Sequence, residues 1–326
     1  MAVLLVSLCG VVMVSEMMLR LIEKPEKETV IRNTVREEKY PYRFTPGSAF
    51  TETNEEFSMM VQINNAGLRD YEYDEEYFTN SDVILGTGDS FTWGVGVSME
   101  DGHLAVAEKF LNSDSAKIKI IKAGMPGYNP LEELDFIKYY VQEKIPGLKF
   151  SMITISFLPN DIDEMLLKNS IRYGQNGGAE MDNHFSFRKL IQSSHIYQHM
   201  KQLGLLRVFK GKSTIYYGRK MNAKERHLIS QMIKKAELFS GSIPVVFVLI
   251  PQMDNVIYKA YPDMFTVAKE VSTSSNIYFI DTYDELVKYD PYSVFYKKDQ
   301  HLTKLGQRIV GEVLARNIEE MSNRLN

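Results

Sequence analysis

The chain has 326 residues, 44% hydrophobic and 25% charged, enough for a sizeable core in one large domain with or without an insertion. Its 38 Lys and Arg against 42 Asp and Glu give a formal net charge of -4, which excludes a global basic surface for nucleic acid. Cys9 is the single cysteine, so an intrachain disulfide and a cysteine-based metal site are both excluded.

The N-terminus reads first as a membrane segment. Met1 to Ser15 carry no charge, and Met1–Ile22 approach the ~20 apolar residues a span requires if Arg20 snorkels to the interface. A cleavable signal peptide fits less well, because the basic n-region and a small-x-small cleavage site are both missing. A single N-terminal anchor over 1–22 is therefore expected, with a buried amphipathic helix as the alternative. The basic residues after it are interleaved with Glu16, Glu23, Glu26 and Glu28, so local charge does not decide which side the body occupies. We expect the body to be extracytoplasmic.

Residues 23–40 are densely charged and read as a linker, and 41–326 as the main domain. Within 41–80 the sequence is aromatic and polar, with "NNAGLRD" (Asn64–Asp70) as a turn signal. From Asp82 apolar runs alternate with helical patterns. The runs fall at 82–88, 117–124, 150–157, 243–250 and 277–280, and helices are predicted near 101–112, 131–143, 223–239, 262–271 and 303–323. Short Val/Ile-rich runs each followed by a helix predict a doubly wound parallel sheet in a three-layer α/β/α domain of flavodoxin-like type. Residues 165–222 break the rhythm and read as an insertion.

The first strand runs into "VILGTGDSFTWGVGV" (Val83–Val97). A phosphate loop would need a Gly-Lys pair that is absent. A dinucleotide fingerprint fails because Phe91 stands at the third glycine and Asp89 would repel a pyrophosphate. A Gly-x-Ser-x-Gly elbow fails at Thr92. What remains is Ser90 delivered at the carboxyl end of a strand, where open α/β sheets bind ligands. A nucleophilic serine needs a base and oxyanion donors. In "YKKDQHLTKLGQ" (296–307), Asp299 precedes His301 by two, and in an extended loop both side chains project to one side. The other histidines lack acidic or metal-spaced partners and read as surface or packing residues.

These residues resemble the four sequence blocks of the SGNH hydrolase superfamily, the GDSL-type esterases. Gly88-Asp89-Ser90 matches the first block, Gly127 in "KAGMPGYNP" the second, Asn160-Asp161 in "FLPNDIDE" the third, and Asp299 with His301 the fourth. The resemblance spans about 82–323 and implies the SGNH hydrolase fold. It further implies Ser90 as nucleophile, His301 as base, and Asp299 as the acid orienting it. The Ser90 and Gly127 N–H groups and the Asn160 amide would form the oxyanion hole. Gly124 competes with Gly127 for the second-block role. The fourth block departs from the usual Asp-x-x-His, since Lys298 holds that place, and a Ser–His dyad is the fallback. The anchor and "NNAGLRD" also resemble membrane-tethered members of the superfamily.

The activity expected from this resemblance is hydrolysis of O-acyl, chiefly O-acetyl, esters of a carbohydrate or similar small molecule. Neither a metal nor a cofactor is called for, and the partners expected are the ester substrate and the membrane. An O-acetyltransferase using the same triad is the alternative, followed by a non-catalytic tethered assembly protein.

Overall fold

The computed structural model describes residues 33–73, 77–112, 117–145, 147–166 and 219–325. The anchor expected over 1–22 and nearly all of the insertion expected at 165–222 lie outside the described residues, as do His184, His195 and His199. Among the described residues no helix is long and apolar enough to cross a membrane.

Two antiparallel pairs precede the main sheet. β1 (Thr34–Arg36) pairs with β2 (Tyr42–Phe44), and β3 (Ala49–Thr53) with β4 (Ser58–Gln62). The second pair alternates as a half-buried hairpin should, with Phe50, Met59 and Val61 buried and Met60 exposed. The charged segment read as a linker to residue 40 thus ends in folded structure. Thr34–Arg36 form a strand, and Tyr40 is buried edge-on against Phe136 and Tyr140. β1 and β2 are only three residues long, and β3 and β4 alternate over five residues without the continuous apolar run that marks the strands of the main sheet.

The main sheet follows the predicted runs. β5 (Asp82–Gly88), β6 (Ile118–Gly124), β7 (Met152–Phe157), β8 (Val245–Leu249) and β9 (Ile277–Asp281) are all parallel, in the order β6-β5-β7-β8-β9. After β5 come α1 (Ser90–Trp93) and α2 (His103–Leu111). After β6 comes α3 (Pro130–Phe136), extended through a π turn at Ile137–Val141 to Lys144. Asn129 caps α3 in a reciprocal box with Glu132, and Asn222 does the same with Glu225 for α4 (Ala223–Ser240). Between β8 and β9 lie α5 (Met253–Ile257) and α6 (Asp263–Val271). Three helices complete the chain: α7 (Tyr283–Leu286), α8 (Pro291–Val294) and α9 (Lys304–Leu325).

Alternate side chains of the strands build a core on each face. Ile84, Ile120, Val246, Val248 and Ile280 pack with Leu104 and Ala107 of α2 and Val310 and Leu314 of α9. On the other face Ile153, Ile155, Val245 and Phe247 meet α4 and α6 through Met232 and Phe265, while Leu85 and Ile121 meet Phe136. The result is the expected three-layer α/β/α domain with a doubly wound parallel sheet.

The edge of this sheet at β6 is sealed by side chains. The N–H of Ile120 donates to Glu108 (2.9 Å) and that of Lys122 to Asp70 (2.9 Å), while the Lys122 ammonium bridges Glu108 at 2.8 Å and Asp70 at 3.1 Å. Carboxylates on edge N–H groups block pairing with another strand. The chain leaves β5 for β6 and returns to its other side as β7, which puts the topological switch point at the carboxyl end of β5, where Ser90 begins α1.

Candidate active site

The Ser90 turn is compressed. Asp89 caps α1, accepting the N–H of Phe91 at 2.9 Å, and Ser90 follows as the first helical residue. Gly88 and Gly124 are paired in the sheet, and the N–H of Met125 donates to the Gly88 carbonyl at 2.8 Å. A Cβ on Gly124 would lie 2.5 Å from the Trp93 nitrogen, and one on Gly88 would lie 2.0 Å from Thr92 Oγ1. Gly124 lets the backbone of α1 rest directly on the strand end, and Gly88 leaves room for the Thr92 side chain. Trp93 is a core residue here, stacked on Phe44 at 4.4 Å, rather than a pocket wall.

The Asp299–His301 pair arrives from the other end of the chain. His301 Nε2 lies 2.7 Å from Ser90 Oγ, and His301 Nδ1 lies 2.5 Å from Asp299 Oδ1. Because Asp299 accepts from Nδ1, the neutral ring presents a bare Nε2 to the Ser90 hydroxyl. Both side chains are about one-fifth exposed. The loop is not the extended segment expected from the sequence. Gln300 donates its N–H to the Tyr296 carbonyl, Tyr296 donates to that of His301, and Gln300 is left-handed with φ 75°. A tight turn, not strand-like alternation, therefore brings the two side chains together. Phe91 lies against the imidazole, ring centroids 4.9 Å apart. Thr303 caps α9, accepting the Gly306 N–H at 3.3 Å, and its own hydroxyl donates to Ser293.

Asn160 reaches the Ser90 turn through Asp89, donating from Nδ2 to Oδ2 at 2.9 Å. Gln252 donates to Asn160 Oδ1 at 3.2 Å, which fixes which end of the amide faces Asp89. No acceptor among the described residues takes the second Nδ2 hydrogen of Asn160. Gly127 lies in the turn between Met125 and Tyr128 just past β6, left-handed (φ 73°) and exposed, whereas Gly124 is buried in the strand. Burial raises the pKa of Asp89 and, with the nearby Asp89 and Glu133 carboxylates, raises that of Asp161 strongly. Asp161 accepts the Leu158 N–H at 2.7 Å and shapes the turn.

Beneath Ser90 lies a polar ring the sequence does not announce. Gln307 donates from Nε2 to the Phe91 carbonyl (2.9 Å), so its Oε1 faces His103 and accepts from Nδ1 at 2.8 Å. His103 Nε2 is then an acceptor for Ser156 Oγ at 3.3 Å, and Ser156 in turn accepts from Thr92 Oγ1 at 2.8 Å. The ring closes through the Phe91–Thr92 backbone, and complete burial holds His103 neutral with its pKa lowered to about 4.

Arg69 of "NNAGLRD" grips the same turn from above. Its guanidinium donates to the carbonyls of Trp93 (2.5 Å) and Gly94 (3.0 Å) at the end of α1 and of Val97 (2.6 Å) in the loop beyond it. Burial lowers its pKa to about 10, so it stays charged at neutral pH.

No protein-family model and no curated protein matches the chain. Among solved structures it is similar to a lipase/acylhydrolase from Enterococcus faecalis, at 16% identity and TM-score 0.45, covering 74% of this chain and 96% of that one. A member of the lipolytic G-D-S-L family from Veillonella parvula aligns at 16% identity and TM-score 0.43, covering 72% and 97%. A family 3 carbohydrate esterase from Clostridium thermocellum aligns at 12% identity and TM-score 0.46, covering 76% and 99%.

Sequence reasoning thus named Ser90, Asp299, His301 and Asn160, which the fold gathers at one strand end. It missed Gln252, Gln307, Arg69 and the hairpin residue Asn54, which holds Asp299 (below). Arg69 had a signal, an arginine inside a marked turn motif. Gln252 and Gln307 had none, since a glutamine after a strand or on a helix is ordinary.

Proposed function

We propose that this chain is a serine ester hydrolase of the SGNH type, acting on small O-acyl groups, with acetyl esters of carbohydrates as the substrate class to test first. The observation that carries this reading is the unbroken line of hydrogen bonds from Asp299 through His301 to Ser90 at the sheet's switch point. Ser90 Oγ attacks the acyl carbonyl as His301 Nε2 takes its proton, and Asp299 holds Nδ1–H and stabilises the imidazolium. The developing oxyanion is met by the N–H groups of Ser90 and Gly127 and the uncommitted amide hydrogen of Asn160. The leaving alcohol takes the proton from His301. Water, deprotonated by the same imidazole, then releases the acid and frees Ser90.

Tethering through residues 1–22 belongs to this proposal, and membrane fractionation with and without that segment tests it. For the chemistry, Ser90→Ala is expected to lower p-nitrophenyl acetate turnover by about 10⁴-fold or more while the protein stays folded. Full activity in that variant would overturn the assignment. Incubation with an oligosaccharide acceptor separates hydrolysis from transfer: free acetate supports the hydrolase, and acylated sugar in its place would replace it with a transferase.

A further inference from the structure

The acid of the triad is not held by its own loop. The turn of the β3–β4 hairpin, Asn54 to Phe57, closes over the segment Lys297–Asp299, more than 240 residues away in sequence. Glu56 spreads its carboxylate across three consecutive backbone N–H groups. Oε1 accepts from Lys297 at 2.9 Å, and Oε2 accepts from Lys298 at 2.8 Å and Asp299 at 2.7 Å. Phe57 packs on Tyr296, ring centroids 5.2 Å apart, and the Tyr296 hydroxyl donates to the Gly96 carbonyl at 2.7 Å. Hairpin, acid loop and nucleophile loop therefore meet at one point.

Asn54 makes the decisive contact. Its Oδ1 accepts the N–H groups of Glu56 (2.8 Å) and Phe57 (3.1 Å), as an Asx turn does, so the amide has one orientation open to it. The NH₂ end must then point outward, and there Nδ2 donates to Asp299 Oδ2 at 3.0 Å. The two Asp299 oxygens are divided between the partners, Oδ1 to His301 and Oδ2 to Asn54. A carboxylate held at both oxygens cannot swing about its χ2 bond without breaking one of these contacts.

We propose that Asn54 is a positioning residue for the proposed esterase reaction, locking the Asp299 carboxylate onto His301, with Glu56 anchoring the loop that carries it. The role rests on the ester-hydrolase reading, yet the geometry it predicts is measurable without turnover. The hairpin supplies what the short Asp-x-His spacing does not. An acid only two residues from its histidine on a tight turn has no helix or strand of its own to hold its rotamer, and Asn54 fixes it from outside.

The variant that isolates this role is Asn54→Asp. Its carboxylate still accepts the Glu56 and Phe57 N–H groups, so the turn survives, but the donor to Asp299 becomes a like charge. We expect kcat on p-nitrophenyl acetate to fall by about 10-fold or more with KM unchanged, as for an interaction that acts on the transition state alone. In an Asp299→Ala background the same change is expected to cost nothing further, because a residue acting through Asp299 has nothing left to position. Unchanged kcat in N54D, or a further fall in the double variant, would overturn the proposal. A second readout is the far-downfield proton resonance of a His Nδ1–H held by a carboxylate. It is expected in the wild type and absent from both N54D and D299A. Should the wild type turn over no ester, the hydrolase reading fails, but this resonance still decides the role of Asn54: its persistence in N54D would overturn it.

Discussion

The two halves of the candidate site are held in different ways. Ser90 stands on a buried platform: a strand end packed against the α1 backbone at Gly124 and against the Thr92 side chain at Gly88, a closed ring of hydrogen bonds through His103 and Gln307 below, and Arg69 on the carbonyls above. Asp299 and His301 sit in a partly exposed loop latched by a hairpin through a few polar contacts. Perturbing the first half disturbs the core, so stability and rate should fall together. Perturbing the second unlatches a loop, so rate should fall with little change in global stability.

The sharpest probe of the buried half is pH. Burial lowers His103 from the ordinary 6.5 to about 4, while in the unfolded chain it titrates at its ordinary value. Above pH 6.5 both states hold a neutral ring and this contribution is intact. As the pH falls from 6.5 to 4 only the unfolded state takes up the proton, so stability declines, by on the order of 3 kcal/mol in all. Protonation would also put a hydrogen on Nε2, facing the hydrogen that Ser156 now donates, and reverse the ring. The variant His103→Gln does not titrate. Urea denaturation at stepped pH should show the wild type losing that much more stability than the variant across this window. Parallel curves would mean that the ring carries no such load.

Gly124 tests whether stability and rate fall together. A methyl group there meets the Trp93 nitrogen and the Thr92 carbonyl carbon, at 2.5 and 2.7 Å, and neither is the free end of a side chain. Gly124→Ala is expected to cost about 1–3 kcal/mol through overpacking. Because the displaced backbone belongs to α1, turnover should drop by about 100-fold, the scale of a misplaced reacting atom. Denaturation and kinetics on one preparation check both. A loss of rate without loss of stability would erase the distinction drawn between the two halves.

How much of this is legible in the sequence follows the same division. All five strands of the main sheet and the long helices are readable, because continuous apolar runs and 3.6-residue patterns persist for many residues. Ser90 and His301 are legible because they sit at the ends of those elements. The region 33–73 is opaque: its strands lack a continuous apolar run, and the work of Asn54, Glu56 and Arg69 is done across distances the chain order does not reveal. The turn motif "NNAGLRD" did show a bend, which Asn64 makes by accepting the Ala66 and Leu68 N–H groups at 3.0 and 2.9 Å. It could not show that its last two residues, Arg69 and Asp70, would seize the Ser90 turn and seal the sheet edge.

The smallest expected effect belongs to the spacer of the Asp-x-His pair. Gln300 is left-handed at φ 75°, a conformation that costs a residue with a Cβ about 1–2 kcal/mol. The turn carries this strain because Glu56 and Asn54 hold Asp299 in place and the N–H of Gln300 bonds to Tyr296. Glycine takes that φ freely, so Gln300→Gly should keep the loop latched and leave kcat near the wild-type value. A β-branched side chain tolerates it least, and Gln300→Val should open the loop in a fraction of molecules rather than unfold the domain. A further ~1.4 kcal/mol of strain lowers the ratio of latched to open loop by about tenfold. We therefore expect kcat in the valine variant to fall, by at most that factor, while the urea midpoint hardly moves. If the valine variant instead lost stability in step with rate, the acid loop would be as integral to the core as the platform under Ser90, and the hairpin would be a wall rather than a latch.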